Sequence, residues 1–217
     1  MKEQYQILYK GGEGELVEKK SRFIAVLRPV ETEEEAAAFV AEMKKQYWDA
    51  RHHCSAYTIG ERNEIARCSD DGEPAQTAGR PMLEVLLGRE IHNVCAVVTR
   101  YFGGTLLGTG GLVRAYSGAV VEALKNCVVL EKCLGIPFKL RTDYSDLGKI
   151  QYILAEEQIP VMDSEYGEQV KLTALIPVGR QGELEKKLTE GTGGRCKMEA
   201  GDPVYYGVDQ GNMILLD

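Results

Sequence analysis

The spacing of apolar and polar positions predicts strands and helices in alternation over the first part of the chain. The predicted elements are strands at residues 21–30, 52–59 and 93–102, and helices from Thr32, at 77–87 and at 110–126. Thr32 and Glu35 have the spacing of a capping box, which marks a helix start. The run at 93–102 is almost continuously apolar, which indicates a strand buried on both faces.

The second part of the chain has a different order of elements. The pattern predicts strands at residues 136–142, 160–166, 169–177 and 195–205, and helices at 145–158 and 180–190. The resulting β-α-β-β-α-β order is typical of the ferredoxin-like fold. We therefore predict an α+β protein of two domains, residues 1–135 and 136–217, divided near Gly135.

A glycine-rich stretch, RYFGGTLLGTGG at residues 100–111, lies between the apolar run and the following helix. A Walker A loop requires a lysine where this chain has Thr109. A dinucleotide-binding fingerprint requires a third glycine where this chain has Val113. Both specific nucleotide-binding motifs are therefore excluded.

The general physics of a glycine loop entering a helix still favours an anion. The first helical amides lack intrahelical partners, and the helix dipole adds partial positive charge. The candidate anion- or nucleic-acid-binding residues are Arg100, Gly103, Gly104, Thr105, Gly108, Thr109, Gly110, Gly111 and Arg114. The alternative is structural: the glycines allow a tight turn and close packing.

Charge is distributed unevenly along the 217 residues. The net charge of -7 argues against a protein coated with nucleic acid. Residues 91–121 nevertheless contain no Asp or Glu, and this window includes the glycine loop. Because salt screens each charge beyond about 8–10 Å, a local patch can bind an anion on an acidic protein.

The N-terminal residues and the cysteines bear on the compartment. The first 20 residues are charged and lack the apolar segment of a signal peptide, and no run reaches a membrane span. The six cysteines show no paired framework, as expected for free thiols in a reducing cytoplasm. We expect a cytoplasmic protein without a membrane partner.

An accessory site is predicted upstream of the glycine loop, at His53, Asp70, Asp71, Glu73 and Arg80. Three carboxylates around Gly72 can hold Mg²⁺ beside a phosphate, although such a run is more often a solvated turn. Neither C-x-x-C nor H-x-x-x-H spacing is present. We therefore predict no metal and no cofactor.

Three separated motifs, HHCSAY, DDGEPAQTAGRPML and RYFGGTLLGTGGLVRAY, resemble the Impact family, including its YigZ-type bacterial members. The resemblance implies an N-terminal domain like domain two of ribosomal protein five. It also implies a C-terminal ferredoxin-like domain similar to domain V of elongation factor G. Eukaryotic members of the family regulate translation by binding the activator of a stress kinase, so the resemblance implies a translation-related role.

Two functions follow from these observations. The first is a non-enzymatic binding protein that contacts the ribosome, RNA or a translation-associated protein. The second is an enzyme or binder that acts on a phosphorylated small molecule or a nucleotide through residues 103–111. We assign no catalytic residue, and nucleotide hydrolysis that is lost in Asp71→Ala would favour the second function.

Overall fold

The computed structural model describes residues 2–209 and 212–216 and divides the chain into two compact units, residues 1–131 and 132–217. The first unit contains strands β1 Gln4–Lys10, β2 Gly12–Glu18, β3 Ser21–Pro29, β4 His52–Ile59, β5 Ile65–Ser69, β6 Ile91–His92 and β7 Val94–Tyr101, with helices α1 Glu33–Gln46, α2 Gly79–Gly88 and α3 Thr109–Leu124. Strand β8, Val128–Thr142, passes from the first unit into the second. The predicted α+β class is confirmed.

Five strands of the first unit form an antiparallel sheet in the order β2-β3-β7-β4-β5. Strand β7 is the central strand, and every residue from Val94 to Arg100 is buried, which confirms the predicted burial on both faces. Helices α2 and α3 cover one face of the sheet. Helix α1 covers the other through Phe39 and Met43. Strands β1 and β6 form a short parallel pair.

The helix starts follow the sequence signals closely. Thr32 is the N-cap of α1, and its hydroxyl accepts the Glu35 amide at 3.2 Å. Helix α3 packs Leu112, Tyr116 and Val120 into the core as predicted. Val113, which the pattern placed on the buried face, is exposed, because the small residues Ala115 and Ala119 complete that face instead.

The second unit continues with α4 Tyr144–Glu156, β9 Val161–Tyr166, β10 Val170–Pro177, α5 Gln181–Thr192, β11 Lys197–Ala200, β12 Val204–Asp209 and β13 Asn212–Leu216. Four strands pair antiparallel in the order β11-β8-β10-β9, the arrangement of a ferredoxin-like sheet. Helices α4 and α5 pack against one face of it. The predicted β-α-β-β-α-β order is confirmed.

Several strands differ from the pattern-based prediction. The single strand expected at 195–205 is two strands, β11 and β12, because Gly201 and Pro203 interrupt it and proline cannot donate to a ladder. Strands β1, β2, β5, β6 and β13, and the first part of β8 at residues 128–135, were not predicted. The glutamates and glycines of β2 hide its alternation. Gly14 packs against the α3 backbone, and Gly12 packs against the backbone of residues 126–127 just after this helix. No helix among the described residues is long and apolar enough to cross a membrane.

Candidate functional site

The glycine loop between β7 and α3 rests on the turn that joins β2 to β3. The Gly103 amide donates a hydrogen bond to the Ser21 hydroxyl at 3.1 Å. A Cβ atom at Gly103 would overlap the Lys20 carbonyl, so only glycine permits this approach. The loop that leads into α3 is therefore packed against the β2–β3 turn.

The first turn of α3 presents unpaired amides. Gly108 is the N-cap with a φ of 75°, a left-handed conformation that favours glycine, and it has no side chain to cap the helix. The first intrahelical hydrogen bond runs from the Leu112 amide to the Gly108 carbonyl. The amides of Thr109, Gly110 and Gly111 have no acceptor among the described residues. These three donors and the helix dipole favour an anion at this position.

Within the loop, Gly110 is the glycine that neither close packing nor a positive φ requires. A Cβ atom there would meet only the Arg114 guanidinium, at an ordinary 3.8 Å. Glycine costs about 1 kcal/mol relative to alanine within a helix. Because Gly110 has no Cβ atom, the backbone of the first turn of α3 is open to a ligand.

The β2–β3 turn supplies two cations that sequence reasoning missed. Lys19 and Lys20 form a two-residue turn in which both have positive φ, 45° and 67°. Such turns favour asparagine and glycine, and backbone strain of this kind concentrates at functional sites. The pair of lysines between two strands, EKKS, was the available signal, but β2 was not recognised as a strand.

Lys19 and Arg114 both line a shallow pocket of about 190 Å³. Its walls come from the hairpin, the glycine loop and α3, and the residues that line it are Leu16, Glu18, Lys19, Leu107, Gly111, Arg114 and Ala115. Within the described part of the chain, Lys19, Lys20 and Arg114 form no ion pair. We call residues 103–111 with Lys19, Lys20 and Arg114 the glycine-loop surface.

Arg100 occupies a different environment from Arg114. Its side chain is buried, and its Nη1 donates to the Glu73 carboxylate at 2.6 Å. The same Glu73 oxygen accepts the Tyr116 hydroxyl at 2.8 Å. The ring of Phe23 lies 5.4 Å from the guanidinium, and that of Phe102 lies 5.6 Å from it. Arg100 on β7 is thereby linked to α3 and to the acidic loop, residues 70–78 between β5 and α2.

The groups around this ion pair are held in their neutral forms. Burial raises the pKa of the Cys54 thiol to about 12. Burial, followed by the proximity of Cys54 and Glu73, raises the pKa of Tyr116 far above its usual range. Neither group becomes a thiolate or phenolate near neutral pH, so neither is an activated nucleophile.

The predicted accessory residues also make internal bonds. The Asp70 carboxylate accepts the amides of Gln76, Ala78 and Gly79 at 2.8–3.0 Å, which caps the start of α2. Asp71 accepts the His53 amide at 2.7 Å and pairs with Lys44.

The rest of this region shows no ligand set for a metal. His53 is buried, and Arg80 pairs with Glu84 one turn along α2 at 2.9 Å. Among residues 2–209 and 212–216, no group of three His, Cys, Asp or Glu side chains is placed to hold a metal ion. The structure thus places Arg100, His53, Asp70, Asp71 and Glu73 in a network of internal bonds, leaves Arg80 in an exposed pair with Glu84, and exposes the glycine-loop surface.

Comparison with known proteins gives matches over both units. Residues 19–124 match the family model described as Impact N-terminal domain. Residues 140–195 match a model described as domain of unknown function (DUF1949). The chain is 44% identical over 201 residues to the IMPACT family member YvyE of Bacillus subtilis, covering 93% of both chains.

Other relatives extend this result. The IMPACT family member YigZ of Escherichia coli is 39% identical over 184 residues, which is 84% of this chain and 90% of YigZ. The mouse Protein IMPACT matches 98 residues at 33% identity, covering 30% of that protein. A crystal structure of a hypothetical protein superposes with a TM-score of 0.59 at 36% identity and covers 93% of this chain and 99% of its own.

The buried ion pair generates a test of stability. Glu73→Gln removes the charge that neutralises Arg100 and leaves a buried cation, so we expect a loss of about 3 kcal/mol in the free energy of unfolding. Glu84→Gln breaks the exposed pair with Arg80 and should cost about 0.5 kcal/mol or less. Urea unfolding measures both, and equal losses in the two variants would contradict this assignment.

Asp71 generates a test of pH dependence. Burial raises the pKa of this carboxyl, but the Lys44 ion pair and the His53 amide outweigh burial, so its pKa lies below the usual range. A lowered pKa stabilises the fold above the unfolded value of about 3.9 and loses that contribution as pH falls. Asp71→Asn should therefore cost about 1 kcal/mol at pH 7, with a smaller cost below about pH 4. Urea unfolding at both pH values tests this; a constant difference would contradict it.

Proposed function

The chain belongs to the Impact family, and on that premise we propose that it is a non-enzymatic binding protein whose glycine-loop surface contacts the phosphate backbone of ribosomal or other RNA. The translation-related role that the family resemblance implies supports RNA as the partner. The observation that carries the proposal is local. Three unpaired helical amides lie at the pocket that Lys19 and Arg114 line, and neither cation has an ion pair among the described residues.

The charge balance favours a confined contact. The whole chain has a net charge of -7, so long-range attraction to a polyanion is absent. At physiological salt each charge acts over about 8 Å, and within that range the glycine-loop surface is dominated by cations and amides. Glu18, which also lines the pocket, limits how far the basic area extends. The surface is therefore suited to a few phosphates rather than to a long track of nucleic acid.

The shape of the surface favours an open contact over an enclosed substrate site. Its pocket of about 190 Å³ is smaller than the roughly 300–1,000 Å³ of small-molecule sites. Exposed apolar side chains, Phe102 and Leu106, extend from the same loop. An exposed aromatic ring such as that of Phe102 can stack on an unpaired base. An enzyme acting on a phosphorylated small molecule is the alternative at this surface, and the pocket size weighs against it.

Co-sedimentation of the full-length protein with ribosomes at low and moderate salt tests the proposal. The test variant is Lys19→Glu with Arg114→Glu, which reverses the two cations of the pocket. The matched control is Lys45→Glu with Arg89→Glu, exposed cations on α1 and after α2. Arg100 is unsuitable for reversal because it would place a second carboxylate beside buried Glu73.

We expect wild type and control to co-sediment alike and the test variant to lose at least tenfold in affinity. Two lost phosphate contacts should also reduce the slope of log affinity against log salt by about 2. Equal binding by all three proteins would remove the glycine loop from the interface. Salt-insensitive binding would indicate a protein partner, and failure to bind ribosomes combined with nucleotide binding would favour the small-molecule alternative.

Gly110 provides a test in which stability and binding change in opposite directions. Gly110→Ala should raise the free energy of unfolding by up to about 1 kcal/mol, because alanine is the better helix former and its Cβ fits. The same methyl group should weaken ribosome binding severalfold, since it covers the amides of the first turn. Gly182→Ala is the control, because Gly182 is also the second residue of a helix and has open space around it.

The Gly182→Ala protein should gain stability without a change in binding. Thermal unfolding and co-sedimentation measure the two effects separately. If Gly110→Ala bound ribosomes like wild type, the open first turn of α3 would have no role in binding.

A further inference from the structure

The ferredoxin-like sheet of the second unit carries a row of cations on the face that the helices leave uncovered. Strand register places Lys171 opposite Arg141 and Lys197 on the other side of Arg141, so three adjacent strands contribute one cation each. Lys139 lies two residues before Arg141 on β8, which puts it on the same face. We call these four residues the C-terminal sheet face.

The opposite face of the sheet is the core of the unit. Phe138, Leu140 and Leu172 point to that side and pack with Ile150 of α4 and Leu184 of α5. The four cations alternate with these apolar residues and are exposed. Since helices α4 and α5 cover only the apolar side, the cationic side is accessible in this unit.

This concentration of positive charge is unexpected for the composition of the unit. Residues 132–217 contain 10 basic and 14 acidic residues, a net charge of -4, yet four of the ten basic residues lie on this face. Like charges directly opposite each other on adjacent strands destabilise a sheet. Lys171 is offset by Glu165 at 2.8 Å and Lys139 lies opposite Glu199 in the strand register, whereas Arg141 and Lys197 form no ion pair within the described residues. An anionic ligand would relieve this repulsion.

A concavity of about 530 Å³ lies over these cations and is the right size for a small molecule. Besides the four cations, the polar groups that line it are Asp163, Glu165, Thr173 and Glu199. Cations at the centre can hold a phosphate group, and a guanidinium such as that of Arg141 can bind it with two hydrogen bonds. Carboxylates at the margin accept hydrogen bonds from hydroxyl or amino groups.

We propose that the C-terminal sheet face binds a small phosphorylated molecule that carries hydroxyl or amino groups, such as a ribonucleotide. The carboxylates at the edges of this face favour a small phosphorylated ligand over an RNA strand. Asp163 and Glu165 on β9 and Glu199 on β11 flank the cationic centre at both sides. A polyanion that crosses the strands would meet these carboxylates, whereas a compact phosphate lies between them. This site is in the second unit and does not depend on the glycine-loop surface.

Calorimetric titration of the full-length protein with AMP and with inorganic phosphate tests the site. Arg141→Ala with Lys197→Ala removes the central cation and one neighbour. Lys149→Ala with Lys186→Ala is the matched control, because it removes two exposed cations from helices α4 and α5 on the other side of the sheet. All four substitutions are at exposed positions, and circular dichroism confirms that each variant is folded.

We expect AMP to bind wild type and the control with equal affinity and the test variant at least tenfold more weakly. Inorganic phosphate should bind wild type more weakly than AMP, because it lacks groups for the marginal acids. The Lys19→Glu, Arg114→Glu protein should keep AMP binding, which separates this site from the glycine-loop surface.

Three outcomes would overturn the proposal. These are the absence of AMP and phosphate binding to wild type at millimolar concentration, an unchanged affinity in the Arg141→Ala, Lys197→Ala protein, and an equal loss in the control. A single-stranded RNA oligonucleotide is the competing ligand. If it bound at least a hundredfold more tightly than AMP and only the test variant lost it, the face would bind RNA instead.

Discussion

The contact between Arg100, Glu73 and Tyr116 is the interaction on which the arrangement of the first unit depends. One carboxylate oxygen accepts from both a guanidinium and a phenol, and all three side chains are buried. A buried charge is tolerated only when it is paired and hydrogen-bonded, so each partner fixes the position of the other two. Arg100 lies on β7, Glu73 lies in the loop that precedes α2, and Tyr116 lies on α3. This contact therefore sets where α3 begins relative to the sheet.

The acidic loop and the glycine loop depend on each other for the same reason. Asp70 caps the start of α2, Asp71 binds β4 through the His53 amide, and Glu73 reaches Arg100. Each of the three carboxylates therefore binds a helix or strand of the first unit. By contrast, the amides of Thr109, Gly110 and Gly111, where the glycine loop enters α3, have no acceptor among the described residues. The bond from Tyr116 to Glu73 ties α3 to this network, and the first turn of α3, which has no capping side chain, keeps its amide donors available to a ligand.

The chain keeps its two proposed anion sites in separate units, and both are small areas on an acidic protein. At the glycine-loop surface, helical amides act with Lys19 and Arg114. At the C-terminal sheet face, strand register alone brings Lys197, Arg141 and Lys171 together. In both places nearby carboxylates restrict the positive area. This combination favours binding to a defined phosphate over indiscriminate attraction to nucleic acid.

The sequence by itself determined most elements of the fold, because apolar periodicity and capping chemistry are local signals. It identified the central strand β7, the Thr32 cap and the order of the ferredoxin-like unit. It also found the glycine loop and, through three motifs, the family. It missed β2, and with it the turn that brings Lys19 and Lys20 to the loop.

Only the tertiary structure decided which charges are available to a ligand. Arg100 and Arg114 are equivalent in a sequence motif, yet one is buried against Glu73 and the other is exposed beside the pocket. Likewise, Arg141 and Lys197 are 56 positions apart and become neighbours through strand pairing. Burial and pairing depend on residues distant in sequence, so no local pattern determines whether a charged side chain stabilises the fold or faces a ligand.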